Sequence, residues 1–108
     1  MWPLESSKAR AERELELERA RRACESKRTA LVQCERVNAR GMCEGLSRDH
    51  DFCRASRVKP CHGAAEAFDK CARRAMNWKE ATPAPTCESE LKAMRRCLRS
   101  RWRNVNVK

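Results

Sequence analysis

The sequence has no apolar run long enough to span a bilayer, so no membrane-crossing helix is expected. It has no Gly-rich phosphate loop, no nucleophile elbow and no H-E-x-x-H. Its two histidines, His50 and His62, have no acid and nucleophile that the sequence places beside them. A C-x-x-C redox motif is missing, as is the adjacent cysteine pair that copper carriers use. Carboxylates are plentiful but are interleaved with Arg and Lys at helix spacing, which reads as a solvated charged face. The expectation is a non-catalytic protein that holds no metal and no cofactor.

Apolar supply is also short. In 108 residues there are five aromatics, 41% hydrophobic residues and 37% charged ones, enough for one domain or two very small ones. So little apolar surface does not stabilise a fold of this size unaided, and disulfides, each contributing about 2–4 kcal/mol in the loop-entropy treatment, are the expected compensation. That calls for an oxidising compartment. Residues 1–23 contain no apolar core of secretory-signal length, and Glu5, Glu12, Glu14, Glu16 and Glu18 argue against a mitochondrial transit peptide.

Cysteine is what the chain does have. Cys24 and Cys34, Cys43 and Cys53, Cys61 and Cys71, and Cys87 and Cys97 all repeat one spacing, C-x9-C. On an α-helix a step of ten residues leaves two sulfurs within about 80° of each other and about 15 Å apart along the axis. Each pair therefore marks one face of one helix. Thiolates so separated cannot reach one metal ion without a bend, unlike the C-x2–4-C knuckles of zinc sites. Two such helices packed antiparallel bring outer cysteine beside outer and inner beside inner, which gives Cys24–Cys53 with Cys34–Cys43, and Cys61–Cys97 with Cys71–Cys87. A second arrangement, with Cys43–Cys53 set against Cys61–Cys71 and closed by the end helices, stays open, because only seven residues separate Cys53 from Cys61.

The rest of the chain fits around these pairs. The run from Lys8 to Arg22 has strong helix formers, no Gly or Pro, and alternating charge, and is expected to continue unbroken into the first cysteine helix. There Ala20, Cys24, Leu31 and Cys34 form a seam, with Ala23, Ala30 and Val37 beside it. Asn38 to Gly41 is a turn in which a left-handed Gly41 ends the helix. A second helix runs from about Met42 to Ser56 with Cys43, Leu46, His50 and Cys53 on one face; His50 there reads as a partly buried side chain. Pro60 suits the start of the third helix, whose stripe is Cys61, Ala64, Ala65, Phe68, Cys71, Ala72 and Ala75. Pro83 and Pro85 impose a loop, Thr86 is placed as N-cap, and the fourth helix carries Cys87, Leu91, Met94, Cys97 and Leu98 to about Arg103. The fold class is all-α: two tandem disulfide-stapled antiparallel helical hairpins, residues 21–57 and 58–103, with an N-terminal helical extension at 1–20 and a tail at 104–108.

Formal net charge is +10, and from Lys92 to Lys108 there are seven basic residues and no acidic one. Arg95, Arg96, Arg99, Arg101 and Arg103 are candidates for contact with nucleic acid, anionic lipid or an acidic protein surface. Trp2, Trp78 and Trp102 lie off the cysteine seams and are candidate interface anchors.

The four C-x9-C helices resemble the twin C-x9-C, or CHCH, family of mitochondrial proteins, and the resemblance covers residues 24–97. It implies import without a cleaved presequence, transient contact with the disulfide-relay oxidoreductase, and residence in the intermembrane space, peripheral to the inner membrane. Four pairs in one chain are similar to the double-CHCH accessory subunit of respiratory complex I. The stretch Cys61-His62-Gly63-Ala64-Ala65-Glu66-Ala67-Phe68-Asp69-Lys70-Cys71, with Trp78 beyond it, looks like the last cysteine helix of that subunit. The resemblance implies a non-catalytic accessory subunit whose partners are subunits of a large inner-membrane respiratory complex. Two alternatives go with it. One is a mitochondrial ribosomal protein touching rRNA through the basic C-terminal helix. The other is a soluble C-x9-C assembly factor for cytochrome oxidase, which the stretch from Cys87 to Trp102 also resembles.

Overall fold

The computed structural model describes residues 6–39 and 41–106, the last six as backbone only. All of its regular structure among these residues is helical. Helix α1 spans Ser7–Ala23, α2 Glu25–Val37, α3 Glu44–Arg57, α4 His62–Met76 and α5 Glu88–Asn106, with a 3-10 turn at Lys59–Cys61 leading into α4. The Ser6 hydroxyl opens α1 by accepting from the Ala9 N–H at 3.0 Å, which satisfies one of the orphan donors of the first turn. Pro60 sits in the first turn of the 3-10 segment, where its missing N–H costs nothing.

Disulfides join Cys24 to Cys53 and Cys34 to Cys43, with Cα atoms 5.9 and 6.0 Å apart. They join Cys61 to Cys97 and Cys71 to Cys87 at 5.8 and 5.9 Å. Outer cysteine meets outer and inner meets inner, so α2 is stapled to α3 and α5 to α4. The arrangement in which Cys43–Cys53 faces Cys61–Cys71 across the short linker is not the one adopted.

No bridge crosses from one hairpin to the other; that junction is non-covalent. Its centre is a cluster of Leu17 and Ala20 from α1, Ala55 and Val58 at the end of α3, Cys61, Ala65 of α4, and Met94 and Leu98 of α5. Ala20, Ala55, Cys61 and Met94 have no solvent exposure. Phe52 and Phe68 pack across the same junction with ring centroids 6.2 Å apart and planes at 49°, a tilted pairing that suits the aromatic quadrupole. The N-terminal helix is therefore part of the shared core through Leu17 and Ala20, whereas Leu15 stays half exposed.

Several boundaries differ from the sequence expectation. The first helix does not run unbroken into the second: Cys24 departs from helical geometry with φ −104° and ψ 12°. The Cys24 N–H still bonds to the Ala20 carbonyl and the Arg28 N–H to the Cys24 carbonyl, both at 3.0 Å, so the ladder passes through a bend. Ala23 and Val37 are exposed and do not form a stripe beside the seam. Helix α2 ends at Val37 on an extended Asn38 rather than on Gly41. Gly41, with φ +91°, instead turns the chain between Ala39 and Met42, whose N–H bonds to the Ala39 carbonyl at 3.1 Å. That turn delays α3 to Glu44.

At the other hairpin Thr86 is not the N-cap. Cys87 takes φ +60°, a left-handed conformation that costs a non-glycine residue about 1–2 kcal/mol. The turn starts α5 at Glu88, with the Cys87 carbonyl accepting from the Leu91 N–H at 3.0 Å. The backbone of α5 continues to Asn106, past Arg103 and into the expected tail, since nothing between them breaks a helix.

Helix α2 is held differently from the others. It contributes no buried residue and no member of the core cluster; Ala30, Leu31, Val32 and Cys34 are half-buried at most. Its attachment to α3 is mainly the two bridges. Removing Cys24–Cys53 and Cys34–Cys43 by paired serine substitutions should leave amides 25–37 exchanging with solvent far faster while those of α3, α4 and α5 stay protected, as read by hydrogen exchange with mass spectrometry. Removing Cys61–Cys97 and Cys71–Cys87 should raise exchange throughout the bundle, because those bridges position the Met94 and Leu98 face of the core.

Candidate functional site

The sequence candidates gather on α5 and at the hairpin ends. Arg95 projects from α5 toward α3, where its Nε donates to Asp51 Oδ2 at 2.7 Å and its Nη2 to Glu44 Oε1 at 2.7 Å, with the Ser47 hydroxyl at 3.3 Å. Asp51 uses its other oxygen on Arg54 Nη2 at 2.6 Å. The Asp51 side chain is 12% exposed and that of Arg95 27%, so this is a largely desolvated polar tie between the hairpins, with both carboxylate oxygens of Asp51 satisfied. Burial alone lowers the Arg95 pKa, but its hydrogen bonds and charge contacts to Asp51 and Glu44 outweigh that and hold it above the ordinary value. Arg95 is thus committed within the fold.

Arg96 and Arg99 are exposed, as is Lys92 on the same helix. Arg101, Trp102 and Arg103 fall within the helical backbone of α5, but their side chains lie outside the described residues, and so does Trp2 altogether. Trp78 is half-buried, and its indole N–H donates to the Thr82 carbonyl at 2.7 Å, pinning the loop that leads into Pro83 and Pro85. Two residues earlier, at the end of α4, Met76 is 84% exposed. The opposite hairpin likewise ends in uncovered apolar groups, Val37 at 80% and Met42 at 71% exposure.

No family model, curated protein or solved structure matches the chain. The structure is a disulfide-stabilised all-α bundle, broadly consistent with a CHCH-like arrangement of two stapled hairpins.

The histidines stand apart. His50 is half-buried on α3 among Arg54 and Asp51 of its own helix, Arg28 and Glu25 of α2, and Arg21 of α1. His62 is exposed at the start of α4, on the edge of an open groove of about 760 Å³ between α1 and the end of α3. Among the described residues no three His, Cys, Asp or Glu side chains are placed to share a metal ion, and no helix is long and apolar enough to cross a membrane.

Sequence reasoning did not find Asp51, nor the second buried face of α3. The signal was present: Asp51, Phe52, Ala55 and Val58 recur at helix spacing on the side away from the cysteine seam, which marks a helix with partners on two sides.

Two outcomes follow from these contacts. Asp51→Asn should cost about 2 kcal/mol in urea unfolding with the disulfides intact, because Arg54 and Arg95 are left without their shared charge; Asp51→Leu with Arg95→Met should cost less than the single change. The His50 pKa is lowered below 6.5, first by burial and next by the Arg54 charge, with Arg28 adding to this and Asp51 and Glu25 opposing it. Between pH 6.5 and the lower native value the unfolded chain binds more protons than the native one, so stability must fall as pH drops through that window. The melting temperature measured from pH 7 downward should show the loss, and His50→Gln should flatten it; an unchanged slope in the variant assigns the effect elsewhere.

Proposed function

We propose that this chain is a non-catalytic accessory subunit of a mitochondrial inner-membrane respiratory complex, NADH:ubiquinone oxidoreductase, attached at its intermembrane-space face. The observation that carries the reading is the stapling of four C-x9-C helices into two hairpins, outer cysteine to outer and inner to inner, together with the resemblance of residues 24–97 to double-CHCH proteins.

The physical case is one of rigidity without a large core. Among the described residues eight side chains make the buried cluster, and four bridges supply what so small a core lacks. A rigid bundle of this kind suits a clamp more than a catalyst. The apolar groups left uncovered at both hairpin ends, Val37 and Met42 at one and Met76 beside Trp78 at the other, supply anchors of the type that protein interfaces bury. An oxidoreductase of the import route would act on the chain transiently, to install the bridges. In this reading the protein holds no cofactor and does not enter the bilayer.

The test is to tag the chain at its C-terminus, solubilise mitochondria gently, and identify by native gel and mass spectrometry what migrates with it, with and without RNase. Co-migration with complex I subunits, unaffected by RNase, is expected. Association with ribosomal subunits that collapses on RNase treatment overturns the proposal in favour of rRNA contact through α5. Migration only as a small free species, or with cytochrome oxidase intermediates, overturns it in favour of an assembly factor.

A further inference from the structure

Helix α5 carries a second surface that the fold does not use. After Glu90 the chain contains no acidic residue. Lys92, Arg96 and Arg99 are all exposed. Steps of four and three residues place them within about 60° of one another over about 10 Å of helix, roughly opposite the fully buried Met94 and Leu98. The next position at the same spacing is Arg103, where the backbone is still helical.

Three features separate this row from an ordinary charged helix face. The cations of α1 alternate with Glu12, Glu14, Glu16 and Glu18, and Glu18 pairs with Arg21 and Arg22. By contrast, Lys92, Arg96 and Arg99 make no ion pair among the described residues, although neighbouring Arg95 makes two. Like charges at three- and four-residue spacing destabilise a helix, a cost that an anionic partner removes. The flanking positions Ser89, Ala93 and Ser100 are exposed and short, so a broad surface can close on the row from Lys92 onward, with exposed Glu88 bounding it at the N-terminal end.

We propose that this face of α5 docks the protein on an anionic phospholipid surface, with Lys92, Arg96 and Arg99 against the headgroup phosphates and the helix lying in the plane of the bilayer. A straight row on an outward helix face meets a plane at every point. Among the described residues the face offers no aromatic ring to stack on a base and no amide to read one, which favours lipid over nucleic acid. It also offers no large apolar side chain to enter the acyl layer, so the attachment is electrostatic and reversible. The inference rests on the proposed inner-membrane position for which bilayer supplies the lipid; the contact itself belongs to the isolated chain.

The experiment uses the oxidised full chain and vesicles of phosphatidylcholine alone or mixed equally with phosphatidylglycerol, read by co-sedimentation. Binding is expected to the mixed vesicles only, and to fall as salt rises from about 0.05 M to about 0.2 M and the Debye length shortens. Replacing Lys92, Arg96 and Arg99 together by Gln should weaken binding about a hundredfold, at roughly fivefold per cation removed. Replacing the exposed Lys27, Arg36 and Arg48 together by Gln lowers net charge equally and should leave binding within a few-fold of the parent. Disulfide mapping and circular dichroism establish that both variants are folded. Equal losses in the two variants, or no binding to mixed vesicles, overturn the proposal; so does binding to a short duplex RNA in the absence of vesicle binding. Because these measurements need no host complex, their failure is separate from failure of the native-gel experiment.

Discussion

Ala55 lies near the end of α3 with no exposure, in one buried cluster with Leu17 and Ala20 of α1, Val58, and Met94 and Leu98 of α5. The rest of the structure depends on that contact, because the four disulfides close only within hairpins. A larger side chain at Ala55 or Ala20 would hold the helices apart, and overpacking of such a site costs about 1–3 kcal/mol. Small residues at the centre and bridges at the periphery therefore divide the work: the bridges set which helix lies beside which, and the alanines set how closely the two hairpins approach.

The polar tie from Arg95 to Asp51 and Glu44 lies at the edge of the same junction. Apolar packing is tolerant of small slides, whereas a carboxylate with both oxygens engaged by two guanidinium groups fixes position. The tie joins α3 of one hairpin to α5 of the other. The consequence for function is that α5 is fixed in its roll about its own axis. One face is committed to Met94 and Leu98, Arg95 ties down the flank beside it, and the remaining face carries Lys92, Arg96 and Arg99 outward.

Stability is unevenly distributed as a result. The helix α2 is joined by sulfur and contributes little to the core, while α1, which has no disulfide along its length, is anchored by Leu17 and Ala20. The segment that the composition marks as an extension is thus more deeply packed than one of the cysteine helices. Uncovered apolar groups concentrate at the two hairpin ends, away from the junction.

The sequence by itself determined the helices and the faces that carry sulfur, because a spacing of ten residues returns a side chain to nearly the same side of an α-helix. It also marked the third helix, whose stripe from Cys61 to Ala75 is apolar without interruption. Only tertiary structure decided how the hairpins meet. The spacing of Asp51, Phe52, Ala55 and Val58 marks a second face on α3 but not its partner: an alanine has value only for what its small size admits, and the Asp51–Arg95 pair, separated by 44 residues, leaves no local spacing signal. The same holds for the ends of the helices. The bend at Cys24 and the left-handed Cys87 arise where a chain fixed by a distant sulfur must turn to meet it, and that constraint appears only when the helices are side by side.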